Sequence, residues 1–272
     1  MDRPVLALAG LNLATLVAGL IVAVQPVAAA VGPARTERIE TTGGYQGDFL
    51  LHVPAGLLEP APLVVALHAL AQEPETMQAY SRLEQLADEQ GFVVAFPRGR
   101  NGTWNAGGCC ALPTGKPADD VAFLDEVLAS IAARVPIDPD RIAMVGGSNG
   151  AMMALRYACE RPGVLASVGM VSGVNVSGCT PRSPVAVLAL HGLKDTVIPL
   201  TGGRNALLGV TFPALDRSLE PFRKAGGEVV LQVVAASGHE WMTLDRNGVD
   251  ASRALWDFIR DHPRLPQTVN GG

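Results

Sequence analysis

Short apolar runs recur along this chain at residues 63–67, 92–96, 141–145, 166–171 and 185–190, with few polar residues inside them. A strand of that composition has both faces buried, the habit of parallel sheets covered by helices on each side. Between the runs lie segments with helical apolar spacing. Residues 75–90 carry Met77, Tyr80, Leu83 and Leu86, and residues 119–135 carry Val121, Leu124, Val127, Leu128 and Ile131. Residues 151–159, 212–225 and 249–261 read as further helices, and 228–234 as a further strand. Residues 37–42 and 45–53 read as two strands joined at Gly43-Gly44, a hairpin signal. A hairpin followed by repeated strand–helix units predicts an α/β fold. Its central sheet is mostly parallel, with an antiparallel N-terminal hairpin and helices on both faces.

The 48% hydrophobic content is unevenly spread. From Pro4 to Ala34 there is no charge, Pro26 breaks the apolar run, and Ala28-Ala29-Ala30 supplies an A-x-A cleavage site. Residues 1–30 therefore read as a secretory signal peptide, with an uncleaved N-terminal membrane anchor as the alternative. Residues 31–272 contain no Pro/Ser/Thr linker and read as one catalytic domain. A net charge of -5 without a basic cluster argues against nucleic acid as a partner. The cysteines are Cys109, Cys110, Cys159 and Cys179, an even set that fits an exported, disulfide-bonded protein. Adjacent cysteines rarely meet disulfide geometry, which favours Cys159–Cys179 over a Cys109–Cys110 bridge. No C-x-x-C or His-rich spacing suggests a metal.

The chemistry concentrates at Gly146-Gly147-Ser148-Asn149-Gly150, between an expected strand and an expected helix. G-x-S-x-G in that context is a nucleophile elbow, a sharp turn that exposes a serine at a helix N-terminus. Its partners follow in chain order, an acid and then a histidine. His239 lies just past the 228–234 strand, whereas His262 ends the last helix and His191 precedes the acid. The acid is Asp195, the carboxylate in the loop after the 185–190 strand. In this reading Ser148 attacks an ester carbonyl, His239 moves the proton, and Asp195 orients the imidazole. The oxyanion needs two N–H donors, assigned to the backbones of Asn149 and Leu70. His68 is expected to shape the loop that holds Leu70. The reaction requires no metal or cofactor.

Several segments carry a family resemblance. They are Leu67-His68 with Gln72, residues 102–110 (Gly-Thr-Trp-Asn-Ala-Gly-Gly-Cys-Cys), residues 119–124 (Asp-Asp-Val-Ala-Phe-Leu), Ser148-Asn149-Gly150, His191-Gly192 with Asp195, and Gly238-His239. Over residues 36–259 the chain resembles secreted esterases of the polyhydroxybutyrate depolymerase and feruloyl esterase group, within the α/β-hydrolase superfamily. The resemblance implies hydrolysis of small or oligomeric esters through an acyl-enzyme. Polymer-degrading members carry a linker and a substrate-binding domain, so soluble esters or oligomers are the expected substrates here. The loop holding Trp104 is expected to overhang the site, with Trp104 and Trp241 either as substrate walls or as core or rim aromatics. An acyltransferase or peptidase on the same triad is an alternative, because a triad does not reveal its acyl acceptor. A non-catalytic cell-surface binding module is another, supported by His68-Ala69 where the family has His-Gly.

Overall fold

The computed structural model describes residues 35–41, 47–58, 60–110 and 118–264. The expected leader at residues 1–30, with its cleavage site, lies outside them. The chain opens with strands β1 (Arg35–Glu40) and β2 (Asp48–Val53), paired antiparallel as expected. Strand β3 (Ala61–Leu67), helices α1 (Pro74–Ser81) and α2 (Leu83–Gln90), strand β4 (Val93–Pro97) and helix α3 (Asp120–Ala132) follow. Next come β5 (Ile137–Gly147), α4 (Asn149–Glu160), β6 (Ser167–Val171) and β7 (Ala186–Gly192). The chain continues through β8 (Gly203–Asn205), β9 (Val210–Phe212), α5 (Leu215–Lys224), β10 (Val229–Val234), α6 (Leu244–Asn247) and α7 (Ala251–Asp261).

Eight strands form one sheet in the order β1-β2-β4-β3-β5-β6-β7-β10, parallel from β4 onward. The alternation of side chains across β3 shows why the apolar runs lack polar residues. Leu63, Val65 and Leu67 face a core shared with Phe123, Leu124 and Val127 of α3. Val64 and Ala66 face a second core, with Leu83 and Leu86 of α2 and Leu255 and Ile259 of α7. Each face is dry, so no position in the strand tolerates a polar side chain.

Three expectations are corrected. The helix expected over residues 75–90 is two helices, broken at Arg82, which adopts a left-handed conformation (φ 52). Arg82 N–H caps α1 at Gln78 O, and Ser81 O accepts a hydrogen bond from the Ser252 hydroxyl of α7. Met77, Leu83 and Leu86 all keep to one core, so the apolar period runs through the break. The helix expected to begin at Phe212 begins at Leu215, because Phe212 belongs to β9, which pairs with β8 in a small hairpin of its own. Finally, Cys109 and Cys110 are bonded to each other, against expectation, while Cys159 and Cys179 form the favoured pair. The backbone turns at Cys110 (φ 75), and this brings the neighbouring sulfurs together.

Candidate active site

Strand β5 runs into a turn at Ser148 and leaves it as α4. Ser148 has φ 51 and ψ −115, a strained conformation for a residue with a side chain. Its N–H donates to Val171 O (2.8 Å), which ties the turn to β6. The flanking glycines are steric requirements. A Cβ on Gly146 would sit 2.4 Å from the Gly150 carbonyl carbon, and one on Gly150 would sit 2.3 Å from Leu67 O. The turn therefore closes only because β5, α4 and the end of β3 approach backbone to backbone.

The loops after β7 and β10 bring the other two residues to this serine. They are stitched together by Leu193 N–H to Val234 O (3.0 Å) and Lys194 N–H to Ser237 O (2.9 Å). His239 then bridges the other two side chains. Its Nδ1 lies 2.8 Å from Asp195 Oδ2 and its Nε2 lies 2.9 Å from Ser148 Oγ. The Asp195 carboxylate is buried, which by itself would raise its pKa. The hydrogen bond from His239 and the Ile198 N–H outweigh burial and hold it below the usual carboxylate range. Asp195 Oδ1 accepts from the Val197 and Ile198 N–H groups at 2.9 and 2.8 Å, leaving Oδ2 for the histidine. An ionised acceptor on that side sets Nδ1 as the protonated nitrogen and leaves Nε2 free to accept the serine proton. His191, set aside as the base because it precedes the acid, is fully buried and donates from Nε2 to Ile198 O (2.9 Å). Burial keeps its pKa low, so it braces the Asp195 loop as a neutral ring.

The segment after β3 forms the opposite wall. His68 is fully buried, donates from Nδ1 to Ala69 O (2.8 Å) and accepts the Gly99 N–H at Nε2 (2.9 Å). It shapes the loop, as expected. Ala69 N–H donates to Gln72 Oε1 (3.2 Å), and the Tyr80 hydroxyl donates to the same oxygen (3.2 Å). Ala69 does not have a positive φ, so its methyl group strains no backbone at the position where the resemblance leads one to expect glycine. Leu70 sits next in the chain and lines the cleft beside Ser148.

Burial lowers the pKa of His68 to about 4. The unfolded chain takes up this proton near pH 6.5 and the folded chain does not, so folding stability is complete above pH 6.5 and declines as the pH falls towards 4. The expected loss is roughly 3 kcal/mol across that window, with no further contribution below it. Denaturant titrations at pH 7 and pH 4.5 check this. His68→Gln should show a smaller difference between the two pH values.

The cleft above Ser148 has a volume of about 550 Å³ and is walled by Tyr80, Val197, Leu208 and Trp241 among others. Trp241 lines this cleft, with its ring 5.6 Å from that of Tyr80. Trp104 is not a substrate wall. It is fully buried beneath the site, packed on His68 and Phe123, with its indole N–H on His68 O (2.9 Å). Thr103, Ala106 and Cys109 of the same motif are buried with it. Leu207, Leu208 and Asn205 of the β8–β9 hairpin reach the cleft without having been expected there. Three-residue strands are too short to show an apolar period.

A family model described as esterase PHB depolymerase matches residues 48–208, more than half of the chain. The chain belongs to this PHB depolymerase esterase family. Among its relatives, a putative esterase NocK of Nocardia uniformis subsp. tsuyamanensis is 32% identical over 220 residues, covering 75% of this chain and 62% of that protein. The chain thus spans under two thirds of the length of that relative. A probable feruloyl esterase C of Aspergillus clavatus is 33% identical over 200 residues, covering 68% of this chain and 70% of that one. Among solved structures, an acetyl xylan esterase from Aspergillus awamori superposes with a TM-score of 0.57 at 15% identity, covering 75% of this chain and 94% of that one. At that identity the likeness concerns the fold alone, which in this family member is the α/β-hydrolase fold.

Proposed function

We propose that this chain is an exported serine esterase that hydrolyses small carboxylic esters through an acyl-enzyme. The observation that carries the reading is the His239 ring held between Asp195 Oδ2 and Ser148 Oγ at 2.8 and 2.9 Å. His239 Nε2 removes the Ser148 proton as Oγ attacks the ester carbonyl. The resulting oxyanion lies against the backbone N–H groups of Asn149 and Leu70. His239 returns the proton to the departing alcohol, and water then releases the acid by the same steps.

The cleft supports the substrate class. A volume of about 550 Å³ with apolar and aromatic walls suits one aromatic, acetyl or short hydroxyacyl group. Feruloyl esters, acetyl esters and hydroxybutyrate oligomers are the candidates. Two disulfides support an oxidising compartment outside the cytoplasm. The test is a panel of p-nitrophenyl acetate, methyl ferulate and 3-hydroxybutyrate oligomers beside peptide anilides, with and without an acceptor alcohol. Turnover of an ester to free acid supports the reading. Cleavage of anilides alone would make the chain a peptidase, and acyl transfer without hydrolysis would make it an acyltransferase. Folded protein active on none of them would fit a binding module.

A further inference from the structure

Trp104 and the side chain of Asn149 form a buried frame that the reaction steps above leave without a role. The Asn149 amide grips the Trp104 backbone at two points. Oδ1 accepts the Trp104 N–H (2.8 Å), and Nδ2 donates to Trp104 O (2.9 Å). Thr103 Oγ1 lies 3.2 Å from the same Oδ1 and 2.8 Å from Cys110 O. From the other side of this residue, the Trp104 indole N–H donates to His68 O (2.9 Å), and the ring rests on the His68 imidazole at 5.0 Å between centroids. Trp104 is fully buried and Asn149 nearly so. Water cannot replace these bonds, and each one lost leaves a buried polar group without a partner.

The frame joins two particular places. One is the residue after the nucleophile. The other is the start of the loop that carries Leu70. These are the two segments whose N–H groups face the oxyanion in the proposed reaction. We propose that Trp104 and the Asn149 side chain are positioning residues that fix the spacing of the two oxyanion donors. The proposal rests on the esterase reading. Oxyanion stabilisation works only when both donors lie about 2.7–3.1 Å from the charged oxygen, so a small drift in spacing weakens the transition state more than the bound ester.

Trp104→Phe removes the indole N–H and keeps an aromatic ring against His68 and Phe123. Asn149→Leu removes the amide and keeps the backbone N–H. Each variant is measured for kcat, KM and melting temperature, and for the Ki of an aryl trifluoromethyl ketone, which forms a charged hemiketal on the serine. The expected result is a kcat lower by about tenfold for Trp104→Phe and about a hundredfold for Asn149→Leu, with the ketone Ki raised by similar factors and KM nearly unchanged. An unchanged kcat and Ki, with only the melting temperature lowered, would overturn the proposal. Should Asn149→Leu fail to fold, Trp104→Phe decides alone. A wild-type chain that neither hydrolyses an ester nor binds the ketone overturns the esterase reading and this proposal together. Active wild type with unaffected variants overturns the proposal only.

Discussion

Exchanging Asp195 for Asn should lower kcat on a small ester by about 10⁴-fold, with KM and melting temperature close to wild type. The structure explains why so small a change should matter. One oxygen of residue 195 accepts the Val197 and Ile198 N–H groups, and both are fixed in the loop. The Asn amide oxygen must take that side, because its NH₂ group cannot accept. The NH₂ group then faces His239 Nδ1, where the carboxylate oxygen stood at 2.8 Å. Two donors cannot share that position, so the imidazole shifts its proton to Nε2. It can then no longer accept the Ser148 proton. Steady-state kinetics on p-nitrophenyl acetate check this, and a loss below about tenfold would contradict the assigned role of Asp195.

Gly150→Ala should have a comparably large effect by a steric route. The new methyl carbon would lie 2.3 Å from Leu67 O and 2.6 Å from His68 O. Both are backbone atoms of β3 and the loop beyond it, so no side chain can swing aside. Helix α4 must shift away from the end of β3, which moves Asn149 relative to Leu70 and tilts the turn at Ser148. We expect activity to fall more than about 10³-fold and stability by about 3 kcal/mol or more. Gly147→Ala is the control. Its methyl carbon would be no nearer than 3.7 Å to Trp241 and Tyr80, and Gly147 has no positive φ. Its stability should stay within about 0.5 kcal/mol of wild type. Thermal melts and kinetics on the two variants separate a demand for glycine at position 150 from mere sensitivity of the turn.

Legibility in the sequence followed the range of the interaction responsible. The inner strands were readable because burial on both faces leaves an unbroken apolar run, as β3 and β4 show. The elbow was readable because Gly146 and Gly150 stand at fixed spacing around Ser148, although the atoms that demand glycine at position 150, Leu67 O and His68 O, lie far away in the chain. Asp195 and His239 were found by chain order, since each sits in the loop that follows a recognisable strand. At the break before Arg82 the Ser81 carbonyl accepts from Ser252, far away in the chain, and the apolar period conceals it. The Trp104 motif was visible as a motif, but the sequence left its direction open between the cleft and the core. An aromatic residue in a loop near a site suits either place, and its full burial with the indole N–H on His68 O shows that it faces inward. The bond between Cys109 and Cys110 depends on a positive φ that nothing in the local composition announces.

The proposed reaction stands or falls with Ser148 as a nucleophile activated by His239. Its most direct test is labelling of the folded, oxidised protein with a fluorophosphonate, read by intact mass and by mapping the modified peptide. One adduct per chain is expected, on Ser148, formed in step with loss of esterase activity and absent from Ser148→Ala. Folded protein that takes up no label, or that carries the label on another residue while Ser148→Ala remains active, would contradict it.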